Sequence, residues 1–144
     1  MSAEYLDADR WLDLLAALAS RASDSAANEQ EQVLRTFFHL LRLAPLECQG
    51  KLCFDLREHE LEALLKVSAF ETATLKILGR SFGAMVSFPP GESEALASVW
   101  LPGEEGEKSG RGASASLALV ASSCGALVDS CLTIADAKSS ETIN

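Results

Sequence analysis

"HELEALLKVSAFETATLKILGR", His59 to Arg80, is where two folds part company. In its first half Leu61, Leu64 and Leu65 recur at helical spacing, with Glu58, Glu60 and Glu62 mostly on the other side. That half predicts a helix over Leu56–Val67. The second half, "TATLKIL", alternates instead. Ala73, Leu75 and Ile77 fall on one face, and Thr72, Thr74 and Lys76 on the other. Period two with β-branched residues predicts a strand over Thr72–Leu78. "GRSFG" would then turn the chain into "AMVSF", and "PPGESEA" would turn it into "LASVWL". Three strands in succession make an antiparallel meander.

Working upstream, "KLCFDL" is a short apolar run that reads as a strand, and Asp55 with Glu58 resembles a capping box for the helix after it. Before it, Val33, Leu34, Phe37, Phe38, Leu40 and Leu41 give the predicted helix Glu29–Leu43 a wide apolar face. Asn28 and Glu31 open that helix in capping-box fashion, and Pro45 closes it. The first helix, Ala3 to Ala22, carries Trp11, Leu14, Leu15 and Leu18 at helical spacing, with Asp7 and Asp9 near its start. "SDSAANEQ" is a polar break between the two.

Downstream, "PGEEGEKSGRG", residues 102–112, reads as a flexible linker, because its glycine and charge content cannot build a core. A long helix, Ala113 to Ala137, follows, and then a polar tail over 138–144. The expected order is α-α-β-α-β-β-β-α in a single domain, 1–144. The fold class is α+β, with helices packed on a three- to four-stranded antiparallel sheet.

The same opening stretch also resembles the helix-turn-helix of winged-helix proteins. A helix ends in a "VS" turn, Ser68 and Glu71 form a capping box for the next helix, and "AMVSF…LASVWL" supplies a wing. The resemblance covers Gln30 to Leu101. It implies a DNA-binding transcriptional regulator in which Lys76 and Arg80 contact phosphate. The chain departs from the pattern at Lys66, where the turn glycine is usual. It departs again at Thr72 and Lys76, where the recognition helix normally buries apolar side chains. In composition the chain also resembles bacterial secretion chaperones, which are small, acidic, leucine-rich α+β proteins with a C-terminal helix.

Composition narrows the function. The 144 residues are 48% hydrophobic and 23% charged, as in ordinary globular domains. A formal charge of −9 repels phosphate, so nucleic acid is an unfavoured partner and a basic or largely apolar protein surface a favoured one. The N-terminus, "MSAEYLDADRW", has neither the basic nor the apolar region of a secretory signal, so a cytoplasmic location is expected. The last helix is long enough on paper to span a bilayer. Asp129 and Ser114, Ser116, Ser122, Ser123 and Ser130 argue against membrane insertion.

In that helix Leu117, Val120, Cys124, Leu127, Cys131 and Ile134 step by three and four in a heptad seam, flanked by Ala118, Ala121, Ser122, Gly125 and Ala126. Leu117, Val120, Leu127 and Ile134 are therefore the candidates for self-association, through a homodimer made by this helix. The alternative is that they are buried within their own domain. Cys124 and Cys131 lie roughly 10 Å apart by helical rise, too far for a disulfide or one zinc ion, so they read as small apolar seam residues. Cys48 and Cys53 flank "QGKL". A two-residue turn at Gly50-Lys51 would oppose them across a hairpin at about 4.5 Å, which allows a reversible redox pair. Two ordinary reduced thiols are the plainer expectation.

Other chemistry finds little footing. "GEEGEKS" has Glu107 where a phosphate loop requires glycine before its lysine, so nucleotide binding is not expected. His39 falls on a modest basic stripe with Gln32, Arg35 and Arg42, suited to an acidic peptide or a plain solvated face. His59 sits among glutamates. No nucleophile motif accompanies either histidine. No metal and no cofactor are expected. The reading is a non-enzymatic protein–protein interaction protein, such as an adaptor, chaperone or regulatory subunit. A winged-helix regulator is the alternative, and a small-molecule enzyme with no identifiable site is a third class.

Overall fold

Residues 7–49, 52, 56–104 and 106–143 are described by a computed structural model, residues 47 and 132–143 by their backbone alone. The first helix, α1 (Ala8–Asp24), starts at Asp7, whose carboxylate accepts the Arg10 N–H at 2.9 Å. It docks on α2 (Gln30–Arg42) through Trp11, whose indole N–H donates to the Leu40 carbonyl at 2.8 Å inside the core. That bond satisfies both the buried ring nitrogen and one of the last carbonyls of α2. The expected Asn28–Glu31 box is replaced by a 3₁₀ turn at Ala27–Glu29, where Glu29 accepts the Ala26 N–H at 2.8 Å.

A single helical turn, α3 (Leu46–Gln49), follows Pro45. Next come α4 (Glu58–Lys66) and α5 (Phe70–Leu78). Three strands then form an antiparallel sheet in the order β1-β2-β3: β1 (Gly83–Ser87), β2 (Ala95–Trp100) and β3 (Lys108–Gly112). The chain ends in α6 (Ala115–Ile143). The fold is α+β, with helices packed on a three-stranded sheet.

Three expectations about the sheet change. Thr72–Leu78 is not a strand, because Ala73, Thr74, Ile77 and Leu78 are all buried together, a pairing only the 3.6-residue period allows. The third strand comes from Lys108–Gly112, inside the expected linker. In the expected strand 51–56, Leu52 and Leu56 lie outside any strand, and the remaining residues lie outside the described ones. The helical backbone of α6 also runs on through 138–143, where a polar tail was expected.

The long C-terminal helix is the hub. It packs against α1, α2, α5 and all three strands. Ser114 caps it, accepting the Leu117 N–H at 3.2 Å and donating to the Gln30 side chain at 3.0 Å, which ties the helix start to α2. On the inner sheet face Ala95, Ala97 and Val99 are buried, and their β3 partners are Gly112, Gly110 and Lys108. The glycines let the strand backbone lie directly on the helix backbone. A Cβ at Gly110 would stand 2.8 Å from the Ser122 nitrogen, and one at Gly112 2.7 Å from the Ala118 nitrogen. The Ser122 hydroxyl turns inward along its own helix to the Ala118 carbonyl at 2.9 Å. Among the described residues, the buried Ser116 and Ser123 hydroxyls find no hydrogen-bond partner.

One surface ion pair joins two helices. Arg35 grips Glu62 with two parallel bonds of 2.8 Å, linking α2 to α4, while Glu31 approaches it at 3.2 Å. Hydrogen bonding to Arg35 holds the Glu62 carboxyl below its usual range. Because the folded value is depressed, the pair's contribution is fully present above the unfolded carboxyl value near ~4.3 and fades as pH falls through the folded value. Glu62→Gln should cost about 0.5–1 kcal/mol at pH 7 in denaturant melts, and progressively less as pH falls through the folded value of Glu62. A larger loss is expected from Gly110→Ala, about 2 kcal/mol or more by chemical denaturation, because the new methyl meets backbone that cannot step aside.

Candidate functional site

The turn between α4 and α5 is closed by a Schellman arrangement. The Ala69 N–H reaches back to the Leu64 carbonyl at 2.9 Å, and the Ser68 N–H to Leu65 at 3.0 Å. Ser68 takes φ 60°, the left-handed conformation that usually falls to glycine there. So Ser68 does not cap α5: the N-cap is Ala69, with no side-chain bond, and the expected Ser68–Glu71 box does not form. The turn sets α5 across α4, and Gly79 ends it. The chain then enters β1 through Ser81 and Phe82, both buried.

This arrangement presents apolar side chains to solvent. Val67 in the turn is 71% exposed and Leu75 on α5 is 56% exposed. In the β1–β2 hairpin, Met85 on β1 is 65% and Phe88 just after β1 is 70% exposed, with Val86 and Leu96 also open. The register pairs Met85 with Ser98 and Ser87 with Leu96, so Met85, Leu96 and Trp100 alternate onto the sheet face opposite α6. Trp100 lies across Gly83, its cross-strand partner, where any Cβ would collide with the indole. On this face the Ser98 and Ser109 hydroxyls pair at 3.2 Å. The loop at the end of the hairpin, Pro89 to Glu94, carries Glu92 and Glu94, and Glu94 lies 3.9 Å from Arg111 on β3.

Comparison with known protein families, curated proteins and solved structures finds no match.

Of the residues singled out from sequence, some lie in the core and others on the surface. Leu117, Val120 and Leu127 are fully buried in the chain's own core, where they have no surface to offer a second copy. The side chain of Ile134 lies outside the described residues. Cys124 and Cys131 are buried in the same core, and burial pushes the Cys124 thiol well above its ordinary value. Cys48 is buried in α3, where its N–H donates to the Pro45 carbonyl at 2.9 Å. A helical turn therefore stands where the strand of a Cys48–Cys53 hairpin was expected, and Cys53 lies outside the described residues. Lys76 and Arg80 are exposed, on α5 and just after it, with Glu71 and Leu75 also exposed on that helix.

The basic stripe on α2 is engaged. Arg35 is held by Glu31, Gln32 and Glu62, Arg42 sits 5.4 Å over the Phe38 ring, and His39 meets that ring edge-on at 5.2 Å. A shallow hollow beside β3 is lined by Trp100, Glu104, Lys108, Asp129 and Ser130. Its polar groups bond within it: Lys108 reaches Asp129 at 3.1 Å, and Ser130 donates to Glu104 at 2.9 Å. Among the described residues no His, Cys, Asp and Glu converge in a group able to hold a metal ion. Among them, too, no helix is long and apolar enough to cross a membrane.

The exposed hairpin side chains were not singled out from sequence. The signal available was "AMVSFPP", a strand with no charge on either face. Since Ser68 pays the steric cost of its left-handed backbone, Ser68→Gly should stabilise the protein by about 1 kcal/mol, a Tm gain of roughly 3 °C by calorimetry.

Proposed function

We propose that the protein is a non-enzymatic protein-interaction module, in the class of adaptors, chaperones or regulatory subunits, and that it binds through the β1–β2 hairpin. The observation that carries this reading is the set of large apolar side chains, Met85 and Phe88 foremost, exposed together on a short uncharged segment. Scattered surface leucines need no explanation. Such side chains gathered on one hairpin are the usual mark of a protein-binding surface. Burying Met85 and Phe88 against a partner would contribute about 1.5–3 kcal/mol each.

The acidity of the chain, at −9, supports a partner that is not a polyanion. A second reading has one observation in its favour: α4, its turn, α5 and the β1–β2 hairpin follow one another in the order of a winged-helix domain, with Lys76 and Arg80 exposed. Against it, the tip of the wing carries Glu92 and Glu94, which would face phosphate.

Placing a photocrosslinking amino acid at position 88 in the native host should trap a discrete protein, and the same probe at Asp9 should not. Met85→Glu should abolish the crosslink while leaving the thermal melt within about 1 kcal/mol of wild type. Absence of any specific adduct at position 88 would count against the reading. Salt-sensitive binding of duplex DNA that is lost on Lys76→Ala and Arg80→Ala would favour the winged-helix alternative.

A further inference from the structure

The two edges of the sheet are built differently. β3 carries Lys108 and Arg111, and its glycines are pressed against α6. Charged residues on an edge are a common guard against further strand pairing. β1 has no such guard. It pairs with β2 through five consecutive residues without a bulge, and from Ser81 to Pro90 there is no ionisable side chain. Among the described residues its other side has no strand neighbour, since the order is β1-β2-β3. Met85 and Phe88 stand exposed at and just beyond it.

The charges flanking this neutral run have opposite sign. Arg80 precedes it and Glu92 follows it. If two such edges meet antiparallel, the basic end of each lies at the acidic end of the other. If they meet parallel, like charges face each other. An edge that is neutral in its middle, basic at one end and acidic at the other is its own electrostatic complement. A second copy of a strongly acidic chain can approach this stretch without bringing carboxylates together.

We propose that β1 is a self-association edge: it pairs with β1 of a second copy, antiparallel about a twofold axis, joining the two sheets into one. With the axis at Met85, the middle of the strand, Gly83 of each copy faces Ser87 of the other, and Phe88 faces Phe82. Such an interface is isologous and closes on itself, so it gives a dimer and no fibre. The backbone supplies affinity through new ladder bonds, while Met85 and Phe88 supply the apolar contact. This inference rests on the reading of the hairpin as a protein-binding surface and names its occupant.

Analytical ultracentrifugation of the full chain over a wide concentration range tests it. The wild type should show a concentration-dependent dimer, and Met85→Lys should remain monomeric with an unchanged circular dichroism spectrum. Arg80→Glu should weaken association about tenfold, and Arg80→Glu with Glu92→Arg should restore it. A wild type that stays monomeric throughout overturns the self-association, yet leaves the hairpin as a binding surface if the crosslink at position 88 still traps a different protein. A dimer indifferent to Met85→Lys, or a charge swap that restores nothing, overturns the proposed edge pairing as well.

Discussion

The structure depends on the close approach of one strand to one helix. β3 lies against α6 at backbone distance because Gly110 and Gly112 meet the Ala118 and Ser122 region with no side chain between them. Without that contact the inner sheet face would have no cover, and Ala95, Ala97 and Val99 would be left open. The helix pays for closeness with small residues, which bury little area themselves. It recovers that loss through Leu117, Leu119, Val120 and Leu127, each worth about 1.5–3 kcal/mol when fully buried. Among the described residues, the Ser116 and Ser123 hydroxyls find no partner inside. Small size at those positions therefore matters more than hydrogen bonding.

Much of this was legible in the sequence. The apolar stripes of α1, α2 and α4, the two strands (read at 84–88 and 96–101, found at 83–87 and 95–100), and the burial of the last helix follow from periodicity and turn residues. What misled was Thr72–Leu78. Alternation places Ala73, Leu75 and Ile77 together, whereas the helix buries Ala73, Thr74, Ile77 and Leu78 and exposes Leu75. One window of seven residues satisfies both periods, and only the Ser68 turn decides between them. β3 was hidden for the opposite reason. Lys-Ser-Gly-Arg-Gly lacks every strand-forming residue, and the glycines make sense only when the helix that covers them is known.

The site was less legible than the fold. The seam Leu117–Ile134 is apolar enough to seek a partner, but α1, the sheet and the neighbouring helices are that partner over its described side chains. Alternation along "AMVSF" says which residues share a face; it does not say which face or edge is left uncovered. That depends on strand order, and the strand order turned on β3, the element the composition concealed.

The chain has two tryptophans, and their surroundings could hardly differ more. Trp11 is sealed inside, its N–H spent on the Leu40 carbonyl, while Trp100 lies half-buried across the bare backbone of Gly83. Burial of Trp11 should therefore give a blue-shifted, quencher-resistant emission that reports the helical core, and the partial exposure of Trp100 a redder one that reports the hairpin.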